Sequence, residues 1–272
     1  FMAVVQLDLY SYQLAMNTQV TLLLPERRGV PHASRQGQPY PVLYLLHGHG
    51  QDHTSWLRLT RLESYLQNTD VVVVMPNGSR GCYVDGEQSH RYGTYLTEEL
   101  PVALGNWFHL SPRREDTFIA GMSMGGYGAL RAAMAHPDRY AVAAGLSAAV
   151  RLDQMRDLPR AAERGLAIPP LEEVDRNFRC VFGPEDAYES SLYSLKALAR
   201  QLNDAPGPKP RLLQLCGDDD PLLPANEDLA AFFADHCPHL DHTFQIDPGM
   251  HNFDYWDQAI RTALTFFGLP HA

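Results

Sequence analysis

Residues 116–128 read DTFIAGMSMGGYG and place Ser123 between Gly121 and Gly125, a Gly-x-Ser-x-Gly pattern. A serine hydroxyl is a weak nucleophile at neutral pH. It attacks a carbonyl carbon only when a neutral imidazole takes its proton and a carboxylate holds that imidazole in the right tautomer. Both groups occur downstream. Asp218, Asp219 and Asp220 follow one apolar run, and His251 follows another, just ahead of a segment with helical spacing. The order serine, acid, histidine is the one expected when each group closes a strand of a parallel sheet. The residues alone do not choose among the three aspartates, which share one turn and of which two are expected to be solvated. His47-Gly48-His49-Gly50 ends a further apolar run. The backbone N–H of His49, with that of Met124 after the serine, would bind an oxyanion, each such donor lowering the barrier by about 3 kcal/mol.

Other chemistries fit these residues less well. His47 and His49 could read as metal ligands, but no Asp, Glu or His stands near them at ligand spacing. The glycines of 121–128 form neither a dinucleotide nor a P-loop fingerprint. No metal or cofactor is expected. Of the other histidines, His242 shares a face with Leu240, Phe244 and Ile246 in an alternating strand, and His236 and His239 flank Cys237-Pro238 in a connecting loop. All three read as structural or surface residues.

The elements that must hold these groups alternate. Residues 4–14 and 19–24 read as an antiparallel pair turning at residues 16–18, and 41–46, 71–75 and 117–120 are short apolar runs suited to strands buried on both faces. Residues 92–108 carry Leu96, Leu100, Leu104 and Trp107 at helical spacing. Asp52 is placed to cap a helix with Trp56, a second short helix follows near 61–66, and 124–135 is rich in helix formers before Pro137. Residues 140–147 and 211–216 read as strands, 190–202 and 224–237 as helices, 240–246 as a last strand, and Asn252 caps a helix over 253–267. The alternation predicts an α/β fold with a mostly parallel central sheet and helices on both faces. It breaks at about 150–190, expected as a small inserted cap over a single domain spanning 1–272.

Composition excludes several classes. With 45% apolar and 20% charged residues the chain is an ordinary globular one, neither disordered nor fibrous. Its 22 basic and 32 acidic residues give a net charge of −10, and no basic run exceeds two residues, so nucleic acid and anionic membrane are not expected partners. The first eight residues lack the basic flank and unbroken apolar core of a signal peptide. The four cysteines, Cys82, Cys180, Cys216 and Cys237, form no CxxC and read as free thiols, which points to the cytoplasm.

Taken together, residues 41–56 (PVLYLLHGHGQDHTSW), 73–77 (VVMPN), 98–101 (EELP), 118–128 (FIAGMSMGGYG) and 216–220 (CGDDD) resemble the esterase D-like branch of the α/β-hydrolases. That branch includes bacterial tributyrin esterases, feruloyl esterases and S-formylglutathione hydrolases, and the similarity to the tributyrin esterase type spans nearly the whole chain. The resemblance implies an α/β-hydrolase fold and a serine carboxylesterase acting on short acyl or hydroxycinnamoyl esters, including those of carbohydrates, with homo-oligomers a feature of such esterases. It puts the nucleophile on Ser123, the acid on Asp220 and the base on His251. Residues 83–85 and 92–95 are shared with the S-formylglutathione hydrolases, but those carry Ser-Gly-Leu-Thr-Cys where this chain has residues 47–51, HGHGQ. A thioesterase of that kind, or an acyltransferase, is the alternative the resemblance leaves.

Overall fold

In the computed structural model the described residues are 2–26, 37–67, 69–150 and 171–270. They form an eight-stranded sheet in the order β1-β2-β4-β3-β5-β6-β7-β8. The strands are β1 (Met2–Ser11), β2 (Met16–Pro25), β3 (Val42–Leu46), β4 (Val72–Pro76), β5 (Thr117–Met122), β6 (Val142–Leu146), β7 (Arg211–Gly217) and β8 (His242–Asp247). From β4 to β8 every pairing is parallel, and β2 meets both β1 and β4 antiparallel. The apolar runs became the middle of the sheet because β3, β4, β5 and β6 are buried along their whole length.

Each face carries its own layer of helices. Helices α1 (Ser55–Leu59) and α2 (Leu62–Tyr65) share one core with α9 (Phe253–Phe266), built on Trp56, Leu62, Trp256 and Ile260. The other core takes α3 (residues 92–107), α4 (Met124–Ala135), α7 (Leu195–Asp204) and α8 (Leu223–His236). Helix α3 runs without a break through Tyr92–Thr94, Tyr95–Glu99 and Leu100–Trp107, with a wide π turn in the middle segment. That turn aims Glu99 at the β1–β2 connection, where its carboxylate accepts from the Ser11 hydroxyl and from the N–H groups of Tyr12 and Gln13. Residues 151–170, the first half of the expected cap, lie outside the described residues. Its second half forms α5 (Leu171–Phe182) and α6 (Glu185–Tyr188).

Three local expectations need correction. The β1–β2 turn occupies residues 12–15, not 16–18, because Ala15 adopts a left-handed backbone (φ 54°) and Leu14 folds back into the core. Helix α7 starts at Leu195 rather than near 190, since Ser191 and Ser194 close turns and Ser194 accepts the first helical N–H from Ala197. His236 ends α8 instead of lying in a loop, and its ring sits 4.9 Å from that of Phe232.

Candidate active site

Five strand ends converge at the carboxyl edge of the sheet. The register pairs Leu46 of β3 with Gly121 of β5, Met122 with Leu146 of β6, and Gly217 of β7 with Asp247 of β8, so the loops after them open on one side. Ser123 lies between β5 and α4 with φ 52° and ψ −116°, a strained conformation for a side-chain-bearing residue. It is held there by its backbone. Its N–H donates to the Leu146 carbonyl at 2.8 Å, and its carbonyl accepts from Tyr127 and Ala149, both at 3.0 Å. The two flanking glycines are required by space. A Cβ on Gly121 would lie 2.4 Å from the backbone of Gly125, and one on Gly125 would lie 2.5 Å from the Leu46 carbonyl oxygen.

His251 reaches this serine from the loop after β8. Its Nε2 is 3.0 Å from Ser123 Oγ, and its Nδ1 is 2.9 Å from Asp220 Oδ2. A carboxylate can only accept, so Nδ1 carries the proton and Nε2 offers its lone pair to the serine hydroxyl. Burial pushes the Asp220 carboxyl up. The charge and hydrogen bond of His251, with further donors, more than offset this and leave it below the usual range. Asn252 accepts the Tyr255 N–H and starts α9 directly after the histidine, which fixes where the imidazole emerges.

The structure separates the three aspartates. Asp220 is buried and faces His251, while its Oδ1 accepts the Leu222 N–H at 2.8 Å. Asp218 and Asp219 are exposed, as expected for turn residues, yet the turn is not idle. Asp218 Oδ1 accepts the Gly249 N–H at 2.9 Å, and the Asp219 N–H donates to the Gly249 carbonyl at 3.0 Å. The acid turn and the histidine turn are thereby zipped together, a role hidden in the bare pattern DDD.

The strand-end histidines divide their work. His47 is buried and both ring nitrogens are engaged: Nε2 accepts the Gly78 N–H at 2.8 Å and Nδ1 lies 2.8 Å from the Gly48 carbonyl. Burial drives its pKa down to about 4, so it is a neutral strut. Tyr83 adds a second tie, its hydroxyl accepting the His47 N–H and donating to the His47 carbonyl. Gly48 gives its N–H to Gln51, and a Cβ there would come within 3.5 Å of Ser123 Cβ, so the turn runs alongside that serine. His49 comes next in that turn. Its Nε2 is buried without a protein partner among the described residues, and its pKa is lowered by burial and by Arg80. Met124 is buried at the first position of α4. Arg80 pairs with Glu173 of α5 at 2.5 Å, and the Asn177 side-chain amide donates to the Arg80 carbonyl, so α5 is tied to the loop whose Arg80 charge acts on His49.

His242 contacts Gln214 through Nε2 at 2.8 Å and keeps its expected structural place. Among the described residues no group of three or more His, Cys, Asp or Glu side chains is placed to hold a metal ion, and no helix is long and apolar enough to cross a membrane.

The arrangement can move a proton from a serine hydroxyl to an imidazole backed by a buried carboxylate. Proteins of known kind share its framework. The model of the Esterase family matches residues 11–267. An acetyl esterase of Caldicellulosiruptor saccharolyticus is 29% identical over 265 residues, 96% of this chain and 97% of that enzyme. Among solved structures, the substrate-bound fluorophosphonate-binding serine hydrolase FphF of Staphylococcus aureus superposes with a TM-score of 0.83 at 28% identity, covering 98% of both chains. The S-formylglutathione hydrolase FrmB of the same organism gives 0.82 at 28% identity, covering 98% of this chain and 99% of that one.

Proposed function

The chain belongs to the Esterase family, and from that premise we propose that it is a serine carboxylesterase using Ser123, His251 and Asp220 as its catalytic triad. The observation that carries the reading is the unbroken line of contacts from Ser123 Oγ to His251 Nε2 and from His251 Nδ1 to Asp220. Ser123 Oγ attacks the ester carbonyl carbon as its proton passes to His251 Nε2. The negative oxygen that results is held by the backbone N–H groups of His49 and Met124. Collapse of this intermediate expels the alcohol, which takes the proton from His251 and leaves an acyl group on Ser123. Water then gives a proton to the same imidazole, attacks the acyl carbon and releases the acid.

The substrates we propose are short acyl esters, acetyl or butyryl, or hydroxycinnamoyl esters, with the alcohol half on a carbohydrate. Two observations support this. The acetyl esterase relative aligns along nearly its whole length, and the paired Arg80 and Glu173 beside His49 offer a donor and an acceptor to hydroxyl groups. Thioester cleavage of S-formylglutathione is the second reading, favoured by the similarity to the staphylococcal hydrolase of that name.

A hydrolysis panel tests both. The purified protein is offered p-nitrophenyl acetate, butyrate and octanoate, methyl ferulate, acetylated xylan and S-formylglutathione, with Ser123→Ala as the blank. Preference for the short or feruloyl esters, abolished by the substitution, is expected. A decisive preference for S-formylglutathione moves the chain to the second reading, and hydrolysis that survives Ser123→Ala removes the assignment altogether.

A further inference from the structure

Ser147 sits at the end of β6, between the strand end that presents the nucleophile and the one that presents the acid. It is fully buried and holds a left-handed backbone at φ 47°, a conformation a serine rarely adopts. Its N–H donates to the Leu215 carbonyl of β7 at 2.7 Å, which anchors the residue against the acid's own strand. Buried strain of this kind persists only where the surroundings hold it, and here the held conformation aims a hydroxyl.

That hydroxyl has a fixed direction. The indole of Trp256 on α9 donates from Nε1 to Ser147 Oγ at 3.1 Å, in a fully buried contact. An indole N–H can only donate, so the serine proton must point elsewhere. The Asp220 carboxyl lies beside it, and the serine is among the groups that hold that carboxyl below the usual range. The Cys216 thiol also faces the hydroxyl, but a carboxylate is the stronger acceptor. Trp256 does more than order the serine. Its ring stands edge to face with the His251 imidazole, centroids 4.9 Å apart at 84°.

We propose that Ser147 is a positioning residue of the catalytic site: oriented by the Trp256 indole, its hydroxyl donates to the Asp220 carboxylate and so fixes the acid that aligns His251. The carboxylate then has its lone pairs taken by His251, the Leu222 N–H and Ser147, and has no room to swing. A single indole therefore steers both partners of the nucleophile, packing on the base directly and reaching the acid through the serine. The other titratable groups that face Asp220, the Cys216 thiol and the Tyr255 phenol, are both pushed up by burial and stay neutral. The inference rests on the triad reading above, which Ser123→Ala tests by itself.

The experiment compares Ser147→Ala, Ser147→Gly and Trp256→Phe in the full chain. Alanine and glycine both remove the hydroxyl, but glycine accepts φ 47° without strain and keeps the test open if the alanine variant does not fold. In both, kcat is expected to fall roughly 10- to 100-fold with KM within about twofold, the pattern of a group that orients a reacting side chain. With a donor gone the carboxylate holds the protonated imidazole more tightly, so the acid limb of the kcat/KM profile moves to higher pH, by about half a unit. Trp256→Phe keeps an aromatic ring against His251 and removes the N–H together with part of the indole's volume. Its loss is smaller, and the double variant Ser147→Ala/Trp256→Phe is no slower than Ser147→Ala. Wild-type kcat and an unmoved pH profile in Ser147→Gly overturn the proposal, as do losses that simply multiply in the double variant. If instead Ser123→Ala retains activity, it is the triad reading that fails.

Discussion

The strand-end loops and helices α5 and α6 meet at the loop that carries Arg80, yet they are held by different means. At the strand ends the backbone itself does the holding. Ser123 is fixed by three main-chain hydrogen bonds, the acid and histidine turns are zipped through Gly249, and Gly121 and Gly125 approach neighbouring backbone so closely that no Cβ fits. Helix α5 has two main-chain ties, from the N–H groups of Glu87 and Gln88 to the Val181 and Cys180 carbonyls, and the ring contacts and polar tie that also fasten α5 and α6 are made by side chains. The ring of Phe182 packs on those of Phe178, Tyr127, Tyr188 and Tyr193, and Arg80 with Glu173 forms a half-exposed polar tie. The contrast teaches where each property resides. The groups around Ser123 depend on atoms that cannot shift without breaking the sheet, whereas α5 and α6 rest largely on contacts that a few side-chain changes can rewrite.

The comparison breaks most readily at Gly125. Its Cβ in a Gly125→Ala variant would meet the Leu46 and His47 carbonyls, backbone atoms that cannot give way. The expected result is a stability loss of about 3 kcal/mol and at least a roughly thousandfold drop in ester hydrolysis. Denaturant unfolding and steady-state kinetics check it, and near-normal values would mean the elbow is softer than its geometry.

Acid titration sharpens the same side of the contrast. His47 has a folded pKa of about 4, below that of an unfolded histidine, so the unfolded chain binds more protons in this range. Its contribution to stability is therefore intact above the unfolded value, about 6.5, and drains as pH falls toward 4. The loss from this residue is about 3 kcal/mol at pH 4, and His242, also lowered to about 4 by burial, adds in the same direction. Urea unfolding at pH 7 and pH 4 measures it; equal stabilities would show that His47 is not a neutral buried strut.

The smallest effect is expected at the cap. Glu173→Gln removes the ion pair to Arg80, both of whose side chains are partly exposed, and such pairs add little to stability. The melting temperature should not move measurably, kcat should stay within about twofold, and KM for a carbohydrate ester should rise by less than about fivefold. A collapse of kcat would mean that the cap is part of the chemical machinery after all.

The same contrast explains what was legible in the sequence. The nucleophile turn could be read because its glycines are demanded by space, and the central strands because burial on both faces leaves unbroken apolar runs. His251 could be read from its place between a strand and a helix. The choice of Asp220 could not be made from the turn alone, since burial of one aspartate among three depends on how the β8 loop packs over it. Ser147 carried no signal at all. Its importance comes from a left-handed backbone and from an indole 109 residues away, neither of which leaves a mark in local composition. The hairpin turn was misplaced for a related reason: Tyr12, Gln13 and Leu14 are not turn formers, and Glu99 on a distant helix supplies the hydrogen bonds that hold them.

That glutamate also makes the length of helix α3 a constraint in its own right. The π turn at Tyr95–Glu99 accommodates one residue more than regular winding would. Removing a single residue there would close the wide turn to ordinary winding and leave Leu100 and Leu104 facing the core they fill. The spare residue thus serves the carboxylate rather than the packing: the helix absorbs it locally and keeps its buried face in phase while Glu99 reaches a hairpin on the far edge of the sheet.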